Sequence, residues 1–106
     1  MINREEKTSE EMVAYCGLQY YTESPSDIKL PIFIMDDLLL AQDHAVSIVK
    51  GVRHNTGWAY RLRINDAKFE SIDKRMILKS GNIEIMEILT IEYEDGMALR
   101  KDRKVL

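Results

Sequence analysis

The change of hydrophobic period at Trp58 constrains this chain more than any other feature. Downstream of it, Tyr60, Leu62 and Ile64 alternate with Ala59, Arg61 and Arg63. Such alternation places apolar side chains on one face of a strand and polar ones on the other. Met76-Ile77-Leu78 reads as a further short strand. Another enters at Ile83-Glu84-Ile85-Met86 and runs on through Leu89, Ile91 and Tyr93. Ser80-Gly81-Asn82 and Glu94-Asp95-Gly96 carry hairpin chemistry, because glycine accepts the positive φ that tight turns demand. Asn65-Asp66 also reads as a turn. Ala67 to Arg75 stays open, with Phe69 and Ile72 as its only large apolar residues. Met97 to Val105 closes the set, so residues 58–106 are expected to form an antiparallel meander of about four strands.

Upstream the spacing is helical. Thr8-Ser9-Glu10-Glu11 has the form of a capping box, in which Thr8 and Glu11 satisfy each other's backbone N–H groups. Met12, Val13, Cys16 and Tyr20 follow at helical intervals, with Gly17 weakening the helix by up to about 1 kcal/mol. Residues 1–8 are polar and expected to fray. Glu23 to Asp27 is a loop. Ile28 to Ile34, interrupted by Pro31, reads as a short edge strand or extended segment. A second helix starts at Asp36 or Asp37, presents Leu38, Leu39, Ala41, Ala45, Val46 and Val49 as its apolar face, and stops at Gly51. The expected fold class is therefore α+β: a small antiparallel β-meander or partly closed barrel with one or two packed helices. Residues 9–50 form its helix-rich part and 58–106 its sheet, in one domain.

The 106 residues suit one domain, and 15 Lys+Arg against 18 Asp+Glu leave a net charge of −3. Nucleic-acid readers usually carry the opposite balance, since basic residues displace phosphate counterions. Cys16 is the only cysteine. It cannot form an internal disulfide, and with His44 and His54 it matches no zinc-site spacing. The apolar runs are too short for a spanning helix, and the charged N-terminus has no apolar core of a signal peptide. A reducing, cytosolic setting is expected.

Each candidate for chemistry has a plainer structural reading. Cys16 lies in an apolar stripe, where free cysteine behaves as a small hydrophobe. His44 is sequence neighbour to Asp43, which does not make the two face each other on a helix. His54 adjoins Arg53 in a loop. Asp36-Asp37 is explained by helix capping. Glu84 and Glu87 fall on opposite faces of a regular strand and come together only if the strand bulges. No metal, cofactor or catalytic set is expected. The most suggestive group is Trp58, Tyr60, Arg61 and Arg63, residue types enriched at protein interfaces and also able to stack on bases. As an ordinary strand, Tyr60 would share a face with Leu62 while both arginines look outward. The tail adds Arg100, Lys101, Arg103 and Lys104 around Asp102. It reads as a solvated strand or as a contact for phosphate or an acidic partner. Trp58, Tyr60, Arg61, Arg63, Arg100 and Arg103 are the expected interface residues.

The run from Ala41 to Val105 resembles the head–tail joining, or head-completion, proteins of long-tailed phages and phage-like particles. The resemblance rests on Ala41-Gln42-Asp43-His44-Ala45, then Tyr60-Arg61-Leu62-Arg63-Ile64. It continues through the strand and glycine turn of Ile72 to Gly81, and through Ile83-Glu84-Ile85-Met86-Glu87-Ile88-Leu89. That family opens on a strand hairpin, to which the helical reading of residues 1–35 offers no match. The resemblance implies a small β-barrel that joins a ring beneath the portal. Such a protein binds portal or adaptor above and tail below, gates the DNA channel, and is not an enzyme. Its place would be the host cytoplasm during assembly and then the virion. An acidic balance would suit a lumen that must not hold passing DNA. A second likeness runs elsewhere: Gly57 to Ile64 looks like the core strand of small ribonuclease toxins of toxin–antitoxin systems, whose strand arginines contact RNA. The third reading is an interaction domain without a specified partner.

Overall fold

The computed structural model describes residues 4–72 and 75–106. Of residues 1–8, expected to fray, 1–3 lie outside them, as do Asp73 and Lys74 of the undecided segment, whereas residues 4–8 do not fray but pair with β5. The order of elements is β1 (Arg4–Leu18), a 3-10 turn (Pro25–Asp27), β2 (Ile32–Ile34), α1 (Leu38–Ala45), β3 (Ile48–Val49), β4 (Val52–Arg53), β5 (Thr56–Ile72), β6 (Arg75–Glu94) and β7 (Met97–Val105). The main sheet is antiparallel, with β5 between β1 and β6, while β2 and β7 share the far edge of β6. The expected α+β class with a partly closed barrel is what forms.

The first expected helix is a strand. Met12, Ala14, Cys16 and Leu18 also form a period-two set, and they lie opposite Ile64, Leu62, Tyr60 and Trp58 of β5. Burying that set against a sheet outweighs a weak local helical tendency interrupted by Gly17. The second expected helix is shorter than its pattern. Asp37 caps it, accepting a 2.8 Å hydrogen bond from the Leu39 N–H. It ends at Ala45, where Val46, Ile48 and Val49 favour extended backbone. Gly51 is not a helix stop. With Lys50 it holds positive φ, 52° and 80°, in the turn between β3 and β4, as a primed hairpin turn requires.

The sheet curls because its central ladder is irregular. Asn65-Asp66 and Ser80-Gly81-Asn82 are not chain reversals. They sit across from each other inside the β5–β6 ladder, which slips between Asn65 and Lys68 and slips back between Lys68 and Phe69. Asp66 and Gly81 both hold positive φ there. A further slip pairs Arg61 with Glu87 but Leu62 with Ile85, leaving Met86 as the extra residue. Bulges of this kind bend a strand and increase its twist. One edge of β6 is taken by β5. On its other edge Met76–Leu78 receive β2 and Glu87–Glu94 receive β7. Just past β2, Met35 exchanges two 2.8 Å backbone hydrogen bonds with Tyr15 of β1. That bridge joins the far side of the sheet back to its first strand.

Inside the curl lie Ala14, Cys16, Ile28, Ile34, Tyr60, Leu62, Ile64, Leu78, Ile85 and Ile88. Each large aliphatic side chain there contributes roughly 1.5–3 kcal/mol by leaving water. Tyr60 is fully buried. Its hydroxyl donates to the Tyr20 carbonyl at 2.8 Å and accepts from the Thr22 N–H at 2.9 Å, which ties the 20–28 loop to the core. On the outer face α1 packs Ala41, Ala45 and Val46 against Ala59, Leu89 and Ile91. The helix backbone rests directly on the strands. A side chain at Gly17 would collide with the Ala41 carbonyl oxygen, and one at Gly57 with the Ala45 carbonyl. Gln19 then caps the end of α1, its Nε2 donating to the His44 carbonyl at 2.9 Å.

Adding a methyl group at Gly57 must lift α1 off the sheet. Gly57→Ala is expected to lower the stability of the fold by about 2–3 kcal/mol, the scale of an overpacked core. Urea unfolding followed by circular dichroism measures it, and a change under about 0.5 kcal/mol would show that the helix does not seat there.

Candidate functional site

The outer face of the sheet beyond α1 holds most of the strand residues singled out in the sequence. On β5, Arg61 and Arg63 point to this side and Tyr60 and Leu62 to the core, as alternation requires. Arg63 lies between two carboxylates, 3.2 Å from Glu11 of β1 and 3.4 Å from Glu84 of β6. Arg61 is exposed, and its cross-strand neighbours are Tyr15 and Glu87. Arg103 of β7 reaches the same Glu87 at 2.6 Å. The bulge at Met86 thus brings Glu84 and Glu87 to one face, where each stands opposite an arginine. Among the described residues no group of three His, Cys, Asp or Glu side chains is placed to hold a metal ion.

The basic tail is largely matched within the chain. Lys101 pairs with Glu94 at 3.1 Å, Lys104 with Glu23 at 2.7 Å, and Arg103 with Glu87. The Lys101 and Lys104 pairs are exposed or half-exposed, so each contributes at most about 1 kcal/mol, while Glu87 in the Arg103 pair is only 15% exposed. Their effect is on the field: acidic side chains stand beside the cations that a phosphate would need. Lys104 sits above its ordinary pKa and Glu23 below its own, each chiefly through their shared hydrogen bond. Arg100 is exposed.

The expected interface residues therefore divide. Arg61, Arg63, Arg100 and Arg103 lie on the outside. Trp58 is half-buried against the core cluster and meets Tyr21 edge-on, with centroids 6.0 Å apart. Tyr60 offers no surface, because its ring fills the interior and both capacities of its hydroxyl are used within the fold. Cys16 is buried, and burial pushes its thiol up to about 12, so it is held as a neutral packing group. His44 donates from Nδ1 to the Gly17 carbonyl at 3.2 Å, joining α1 to β1. His54 is half-buried between β4 and β5.

A second feature escaped the sequence reading. A groove of about 450 Å³ opens between α1, β2 and the start of β6, lined by Phe33, Met35, Leu40, His44, Arg75 and Met76 among others. Phe33 and Leu40 on its walls remain 43% and 53% exposed. The signal was present in Leu38-Leu39-Leu40, a run too apolar for an eight-residue helix that buries only Ala41, Gln42 and Ala45. The expected apolar face put Leu39 inward, whereas it is 63% exposed. The small residues face the sheet because only they let the helix backbone approach Gly17 and Gly57.

No protein-family model, no curated protein and no solved structure matches this chain.

Burial also raises Tyr60 to about 12. In the unfolded chain cysteine ionises near about 8.5 and tyrosine near about 10. The unfolded state therefore releases these protons first as pH rises. Stability from the two neutral groups is complete below about pH 8 and declines up to about pH 12. Urea midpoints measured from pH 7 to 11 should fall across this range, and Tyr60→Phe combined with Cys16→Ala should flatten the decline. An unchanged slope in that double variant would mean that other groups govern alkaline unfolding.

Proposed function

We propose that this chain is a structural connector of a phage or prophage particle, joining portal or adaptor to tail through protein–protein contacts as a ring of copies. The observation that supports it best is the apolar groove between α1 and β2, with Phe33 and Leu40 left exposed along it. Apolar and aromatic side chains gathered at a concave surface are the usual anchors of a protein contact. The rest of the surface agrees with this reading. The curled sheet with one helix packed outside has the architecture that the resemblance implies, although its first described strand, β1, pairs with the distant β5 and not within a hairpin. The arginines that would contact RNA in a ribonuclease toxin are flanked by Glu11, Glu84 and Glu87 of the same sheet. A phosphate backbone would have to displace those carboxylates before it could bind.

The test is co-expression with the portal, adaptor and tail-completion proteins of a long-tailed phage or prophage. The chain is expected to co-purify with portal-bearing particles. Leu40→Asp, which charges the groove, should cut that recovery by at least about tenfold while the far-ultraviolet spectrum stays unchanged. Growth arrest on expression, with cleaved RNA and relief by Arg61→Ala, would overturn the reading in favour of the toxin.

A further inference from the structure

The main sheet has two open sides, and they carry opposite charge. Among the described residues, β1 pairs with β5 on one side and has only the Tyr15–Met35 bridge on the other, so its edge from Glu5 to Val13 is free. Among the described residues β7 pairs with β6 and no strand takes its second edge from Met97 to Val105, where the Arg103 N–H donates to Asp102 Oδ1 at 2.8 Å. The first edge carries Glu5, Glu6, Glu10 and Glu11 with a single lysine, Lys7. The second carries Arg100, Lys101, Arg103 and Lys104 with a single aspartate, Asp102. All of these side chains are exposed, and Lys101, Arg103 and Lys104, which pair within the chain with Glu94, Glu87 and Glu23, would share those partners with the facing edge. Charges on free edges usually serve to block pairing with other chains. Here the segregation of sign has an additional consequence, because it blocks some pairings and favours one.

We propose that copies of this chain associate head to tail, the β7 edge of one adding to the β1 edge of the next. Strand direction permits it. The order β1-β5-β6-β7 alternates over an even number of strands. A copy placed beside the first in the same orientation therefore presents its β7 antiparallel to β1. The charge order also fits. Read forward from Glu5, β1 runs acidic, acidic, basic; read backward from Lys104, β7 runs basic, basic, acidic. One antiparallel register sets Glu5 against Lys104, Glu6 against Arg103 and Lys7 against Asp102. The same register carries Met12 to Met97, which is 62% exposed in the single chain. Opposite charges directly across strands stabilise pairing, and like charges oppose it.

The alternatives are disfavoured by the same rule. A two-fold pairing of β1 with β1 brings Glu5 and Glu6 against Glu10 and Glu11. A two-fold pairing of β7 with β7 brings Arg100 and Lys101 against Lys104 and Arg103. The heterologous seam matches sign at three successive positions, which neither two-fold pairing does in any register, and heterologous contacts build rings or open filaments instead of isolated dimers. The seam deepens the ring in the proposed function, but the self-association it describes can be read without any phage partner.

The experiment uses the full chain and two variants, Glu5→Lys/Glu6→Lys and Arg103→Glu/Lys104→Glu, in sedimentation velocity and native mass spectrometry at low and moderate salt. Wild type is expected to associate beyond the dimer at concentrations up to about 1 mM, a range that reaches weak specific contacts. Association should weaken as salt rises. Each variant alone should associate at least about tenfold more weakly, since like charges then face each other across the seam. An equimolar mixture should recover assembly, because each altered edge meets its altered complement. Thermal melts check that both variants stay folded. Among the described residues the first breaks only the long Lys7–Glu5 pair, so it remains informative if the second is destabilised. A monomer at every concentration would overturn the seam, as would a dimer indifferent to both reversals or a mixture that fails to recover. Assembly without recovery on portal-bearing particles would keep the seam and remove the connector reading. Particle binding by a chain that stays monomeric would do the reverse.

Discussion

Two backbone hydrogen bonds between Tyr15 and Met35 decide what kind of object this sheet is. Without them β1, β5, β6 and β7 would form an open, twisted ribbon, with β2 attached to one side of β6. With them, β2 spans from β6 to β1 and the sheet turns inward over its own core. Such a bridge forms only if the strands bend enough to bring the two sides together. The bulges supply that bend: the paired irregularity at Asp66 and Gly81, and the extra residue at Met86. Tyr60 then secures the enclosed loop from within, because its hydroxyl is used by the Tyr20 carbonyl and the Thr22 N–H.

The outside follows from the same geometry. The bulge at Met86 turns Glu84 and Glu87 to one face, and that face carries Arg63, Arg61 and Arg103. A carboxylate pair that could have looked like a metal site is thus half of an acid–base ladder. Its energetic value is small at this exposure, but it sets the local potential and takes up cations that would otherwise attract phosphate. Beside this ladder, α1 is held by shape. Gly17, Gly57 and Ala59 leave a shallow seat on the strands into which Ala41 and Ala45 fit. Small residues at the contact turn the larger Leu39 and Leu40 away from it. Close approach of the helix to the sheet and an apolar outer surface are therefore two results of one packing arrangement.

The legible parts of the sequence were those where local pattern and long-range pairing agree. The alternation from Tyr60 to Ile64 gave both the strand and its buried face, Asp95-Gly96 gave the β6–β7 turn, and Cys16 was read as buried. In segments 8–20 and 46–51 local signals have two meanings, and the expected helices give way there to β1, β3 and β4. Thr8-Ser9-Glu10-Glu11 has the spacing of a helix cap, yet Met12, Ala14, Cys16 and Leu18 have the spacing of a strand. The choice is made by β5, 40 to 52 positions later in the chain. Asn65-Asp66 and Ser80-Gly81-Asn82 have the chemistry of reversals, because a bulge and a turn need the same positive φ. Nothing local distinguishes them until the two are found opposite each other. The groove was invisible for a related reason: its walls come from α1, β2 and β6, which no single stretch of sequence brings together.

The groove and the two open edges keep their places only if β2 is held against β1 and the sheet stays curled. Native-state amide hydrogen exchange reads the closure directly. The Tyr15 and Met35 amides should be protected to the same order as the β5–β6 amides at Tyr60 and Leu62. Exchange at those two amides as fast as in the exposed 23–27 loop, with the β5–β6 ladder still protected, would show an open sheet and contradict the account.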